Sequence, residues 1–61
     1  MQITWTNCTD KMPPDENVIA KVRHEIHITH GWIMRDFYDD YIVDSMQWTP
    51  YTQEKWEYLN K

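Results

Sequence analysis

Glycine and cysteine each occur once in the 61 residues, and no apolar run approaches the ~18–20 residues that a membrane-spanning helix needs. Each scarcity excludes something. A single glycine, Gly31, cannot supply a glycine-rich loop that cradles phosphate, and no Walker, dinucleotide-binding or hydrolase motif is present. A single cysteine, Cys8, cannot close an internal disulfide, which fits a reducing compartment. The opening MQITWTNCTD lacks the basic start and apolar centre of a secretory signal. These features predict a soluble, cytoplasmic protein with no membrane association. Positive charge is also short, with 6 Lys and Arg against 10 Asp and Glu, for a net charge of −4. Binding a phosphate backbone needs clustered cations, so direct nucleic-acid binding is disfavoured.

What the chain does have is rigid apolar surface. Aromatic residues make up 15% of it and hydrophobic residues 41%, too much for a disordered tail. The length predicts one small domain over residues 1–61 with a modest core, so a partner or a second copy would add needed stability. Charge and aromatics are unevenly spread. Residues 1–35 balance to zero, so the whole net charge of −4 lies in residues 36–61, together with seven of the nine aromatics. An acidic, aromatic C-terminal half is the most unusual feature of the composition.

Met1 to Thr6 alternates Ile3 and Trp5 with polar residues and predicts a short first strand. Turn formers and the Pro13-Pro14 pair then demand an ordered loop, with Met12 held extended so that it covers an edge of the core. From Val18 onward β-branched and aromatic residues dominate, and an unbroken strand would set Val18, Ala20, Val22, His24, Ile26 and Ile28 on one face and Lys21, Arg23, Glu25 and His27 on the other. His30-Gly31 is the expected reversal, giving a hairpin of residues 18–29 with 32–38. Met46-Gln47-Trp48 reads as a last strand, and residues 52–60 as a helix with Trp56 and Leu59 inward, capped by Thr52 or started equally well by Thr49 with Pro50 at its first position. The expected fold is α+β: a small antiparallel sheet of three to four strands with one short C-terminal helix docked on it. Trp5, Trp48 and Trp56 are expected to be structural, with at least one beside Pro13.

Three chemistries are weighed against this frame. His24, His27 and His30 with Cys8 are suitable zinc ligands by type. On a strand, however, His24 and His30 would stand roughly 20 Å apart with His27 on the opposite face, so no metal is expected. Cys8 paired with a histidine would need a lowered thiol pKa and an oxyanion hole, so no catalytic residue and no enzyme activity are expected. Asp36, Asp39, Asp40 and Asp44 lack the alternating ligands and terminal glutamate of a calcium loop. No cofactor is expected. The remaining reading is a protein-binding face made of Tyr38, Asp39, Asp40, Tyr41, Asp44, Tyr51 and Tyr58, since tyrosines anchor interfaces and carboxylates steer a basic partner.

Two stretches carry a family resemblance. Trp5 is followed seven and eight residues on by Met12-Pro13, then by Asp15-Glu16-Asn17 and the strand-like Val18 to Val22. This run, with Met46-Gln47-Trp48-Thr49-Pro50, resembles a family of small phage and prophage proteins of unknown function over about residues 3–50. In that family the Trp precedes Leu-Pro, an acidic turn and a V-L-V strand, and a second Trp stands before a closing proline. Here Met12 replaces the leucine, Pro14 is additional, and a helix-like tail follows Pro50. The resemblance implies a compact β-rich fold pinned by Trp5, Pro13, Trp48 and Pro50, and a phage or prophage origin. With the acidic aromatic half it leads to the expectation of a non-enzymatic accessory protein in the bacterial host cytoplasm that binds, and inhibits or modulates, a host or phage protein. Imitation of nucleic acid by the carboxylates, or direct nucleic-acid binding through Lys21 and Arg23, is the alternative, and a homodimer is compatible with either.

Overall fold

The computed structural model describes residues 1–38 and 46–61, with the side chains of all of these except Phe37 and Tyr38. The elements run β1 (Thr6–Asn7), β2 (Asn17–Val22), β3 (Glu25–His30), α1 (Gly31–Tyr38), β4 (Met46–Pro50) and α2 (Gln53–Leu59). The four strands form one antiparallel sheet in the order β1-β4-β2-β3, and the α+β class read from the sequence holds. No helix among the described residues is long and apolar enough to cross a membrane.

The hairpin differs from expectation. Val22 pairs with Glu25, so the chain reverses at Arg23 and His24 rather than at His30 and Gly31. Arg23 carries the positive φ that the reversal needs, at 59°. A two-residue turn also shifts which residues share a face. Val18, Ala20 and Val22 are joined on their side by His27 and Thr29, while Ile26 and Ile28 fall on the opposite side with Ile19 and Lys21.

Gly31 has a different task from the one its turn preference suggests. Its φ is not positive, and its amide donates to the Glu16 carbonyl at 2.9 Å. A Cβ at this position would sit 1.7 Å from the Pro14 carbonyl oxygen. The missing side chain therefore lets the proline loop pass against the start of α1. The stretch 32–38, expected as a strand, lies in this helix. Its Met34 is buried against Cys8, Val18, Ala20, Met46 and Trp48, with Met12 and Val22 packed at the margin.

The loop before β2 is ordered by polar contacts as much as by packing. Trp48 Nε1 donates to the Lys11 carbonyl at 2.8 Å, and Arg35 Nη1 donates to the Pro13 carbonyl at 2.7 Å. The second arm of the Arg35 guanidinium meets the Asp15 carboxylate. Pro13 itself is fully buried, two residues from the carbonyl that holds Trp48.

The other face of the sheet presents Ile19 and Thr49, both fully buried. There α2 is tied down by Lys55, whose Nζ donates to Thr49 Oγ1 and to the Pro50 carbonyl at 3.1 Å each. Thr52 caps the helix, its hydroxyl accepting from the Lys55 amide at 3.1 Å, and Asn60 closes it through the Trp56 carbonyl. Trp56 and Leu59 are only half-buried, and α2 buries none of its own residues completely. At the N-terminus regular pairing is confined to Thr6 and Asn7, which meet Trp48 and Gln47 of β4. Trp5 leaves the strand and lies half-buried with Lys21 Nζ 5.2 Å from its ring centroid, a cation–π contact.

Candidate functional site

Of the seven residues expected to form a binding face, Asp39, Asp40, Tyr41 and Asp44 lie outside the described residues, as does the side chain of Tyr38. The remaining two are on or beside α2. Tyr51 is half-buried, and its hydroxyl donates to Gln53 Oε1. Tyr58 is 46% exposed, a large value for an aromatic ring, and it is not needed by the core. One turn back stands Glu54, and Glu57 adjoins it in sequence; both are exposed. Met1, Glu54, Glu57, Tyr58 and Lys61 line a shallow open depression. An aromatic ring and a thioether are thus set among two carboxylates and one amine. Such a surface suits contact with protein groups better than enclosure of a small molecule.

Nothing described supplies a reactive centre. Cys8 is 2% exposed, and its burial raises the thiol pKa by desolvation, the opposite of what a nucleophile requires. His24 stands exposed in the β2–β3 turn, His27 pairs across from Ala20, and His30 pairs across from Asn17. Ala20 and Asn17 are an odd number of residues apart, so His27 and His30 project from opposite faces of the sheet. Among the described residues no three His, Cys, Asp or Glu side chains come together in a metal-binding group.

The cations are similarly dispersed. Lys21 is held over Trp5, Arg35 over the proline loop, and Lys55 over the end of β4. That leaves Arg23 at the hairpin turn, Lys11 in the loop and Lys61 beyond α2, which do not share an element. A phosphate-binding stripe would need neighbouring unengaged cations.

Two exposed apolar residues were missed by reading 18–38 as a single hairpin. Ile28, on β3, is 46% exposed, and Trp32, in the first turn of α1, is 51% exposed. The Trp32 amide donates to His30 Nδ1 at 3.3 Å, and the two rings lie tilted with centroids 6.4 Å apart. The signal that could have revealed Ile28 is the hairpin's own parity. Once the turn is placed at Arg23 and His24, Ile26 and Ile28 leave the face of Val18 and Ala20. Compared with known protein families, curated proteins and solved structures, the chain matches none of them.

Proposed function

We propose that this chain is a small, non-enzymatic phage or prophage accessory protein that binds a host or phage protein in the bacterial cytoplasm. Its contact surface is acidic and aromatic. The observation that carries this reading is Tyr58, an aromatic ring left half in solvent between exposed glutamates on a helix that buries no residue completely. A ring in that position costs solvation and returns little to the core, whereas at an interface it supplies apolar area with few rotatable bonds. Glu54 and Glu57 would steer a basic partner towards it, and Tyr51, Tyr38, Asp39, Asp40, Tyr41 and Asp44 complete the proposed surface.

The absence of catalysis in this reading is supported by the burial of Cys8, which raises its thiol pKa, and by His27 and His30 projecting from opposite faces of the sheet. The dispersed cations favour a protein partner over nucleic acid. The test is affinity capture from host lysate with the wild type, Tyr58→Ala and the Glu54→Lys, Glu57→Lys pair. A specific partner should be lost with Tyr58→Ala through faster dissociation. It should associate more slowly, with weaker salt dependence, when the charges are reversed. Equal capture by all three proteins would move the contact surface away from α2.

A further inference from the structure

The outer edge of β3 offers a second kind of contact, independent of the α2 surface. β3 ends the strand order, so one side of it has no partner among the described residues. The Gly31 amide points inward, to Glu16, in line with the pairs Thr29–Val18 and His27–Ala20. Backbone groups alternate along a strand, so the N–H and C=O groups of Ile26 and Ile28 and the N–H of His30 point outward, away from β2, while the His30 carbonyl opens α1 as the cap that accepts its first bond. Edges of this kind are usually blunted by lysine, proline or a bulge. Residues 26–30 read Ile-His-Ile-Thr-His, contain neither lysine nor proline, and pair with β2 without a bulge.

We propose that β3 pairs with β3 of a second copy of this chain, antiparallel about a two-fold axis at Ile28, to make one continuous sheet. Three observations favour a second copy over another extended segment. First, this register sets Ile28 against Ile28 of the other copy, so each exposed isoleucine is covered by its own equivalent. Second, it pairs Ile28 with itself through both backbone groups and lets the His30 amide of each copy donate to the Ile26 carbonyl of the other. Third, it avoids juxtaposing like charges: Glu25, the one carboxylate of β3, lies opposite the other copy's Gly31, and His27 lies opposite Thr29. Moving the axis to His27 would stack two imidazoles and set His30 opposite the turn residue His24. A chain with only seven buried apolar residues among those described also has reason to extend its sheet.

Sedimentation equilibrium over a wide concentration range tests this, together with two cysteine variants. Wild type should pass from monomer to dimer as concentration rises, and Ile28→Lys should remain monomeric with an unchanged far-UV spectrum. A directly opposed, hydrogen-bonded pair has Cα atoms about 5.5 Å apart, within disulfide reach, so Ile28→Cys should oxidise to a linked dimer. Thr29→Cys, which faces His27 of the other copy, should not. The buried Cys8 leaves the background of this assay quiet. A wild type that stays monomeric throughout, an Ile28→Lys protein that dimerises as wild type does, or cross-linking as fast through residue 29 as through 28 would overturn the proposal. So would a monomer whose β3 amides gain hydrogen-exchange protection only when another protein is added; that result would give the edge to that protein.

Discussion

The two helices lie against the same sheet and are held in different ways. α1 sends Met34 into the apolar cluster, presses Gly31 against the Pro14 carbonyl, and clamps the proline loop with Arg35. α2 has a sound cap and an ammonium group tethered to Thr49 and Pro50, but no completely buried side chain. The difference teaches that burial, rather than helix quality, decides which element the fold depends on. α2 has the better start signal and the weaker attachment. Removal of α1's contacts should therefore cost far more than removal of α2's.

The sharpest test is Gly31→Ala. A methyl group placed against backbone cannot be relieved by rotating a side chain, so the loop or the helix must move. The expected loss is at least about 3 kcal/mol, enough to abolish the folded far-UV spectrum of so small a domain at moderate urea. Next comes a matched pair of tryptophans. Trp48→Ala removes a 5%-exposed ring and its bond to Lys11, at about 3–5 kcal/mol, whereas Trp56→Ala should cost about 1–2 kcal/mol in proportion to its partial burial. Similar urea midpoints for these two variants would erase the contrast between the cluster that Met34 of α1 joins and the attachment of α2. Arg35→Met keeps the apolar stem and removes both bonds to the loop; a loss of about 1–2 kcal/mol is expected, with faster proteolysis near Pro14. The smallest effect has the opposite sign. Arg23→Gly relieves a positive φ and should raise the melting temperature slightly, by up to about 1 kcal/mol of stability, because glycine's freedom in the unfolded chain offsets part of the gain.

The sheet's central strands were legible in the sequence because Val18 to Val22 and Met46 to Trp48 combine β-branched or aromatic side chains with flanking turn formers. Thr52 was one of two starts the sequence offered for α2, the other being Thr49-Pro50, and the prolines announced the loop. Two features were not legible, for one shared reason. The only glycine draws any turn prediction to itself, yet Gly31 is required for its missing Cβ, and the turn with positive φ falls on an arginine instead. With the turn misplaced, residues 32–38 read as a returning strand. The apolar spacing of Ile33, Met34, Phe37 and Tyr38 is helical, but the β preference of Trp, Ile, Phe and Tyr outweighed it. The first strand is shorter than expected: β1 pairs only Thr6 with Trp48 and Asn7 with Gln47, and Trp5 leaves the ladder to lie by Lys21 although β4 runs on to Pro50. Of the proposed binding surface, only Tyr51 and Tyr58 fall within the described residues. Sequence reasoning placed both near the last helix without separating the half-buried ring from the exposed one.

The strand order also sets an order of events. β2 and β3 close across two residues, whereas β4 must insert between β2 and β1, where Gln47 Nε2 donates to Asn7 Oδ1 across 40 positions of chain. Local contacts form early, because bringing distant segments together costs more chain entropy. The β2–β3 hairpin can thus exist before the rest, but β1 has nothing to pair with until β4 arrives. Arrival of that one strand delivers Met46 and Trp48 to the core, joins the N-terminal strand to the sheet, and completes the indole bond that settles the proline loop. A two-stranded hairpin alone is marginal in water, so the long-range contacts that β4 completes are the ones on which the rest of the fold waits.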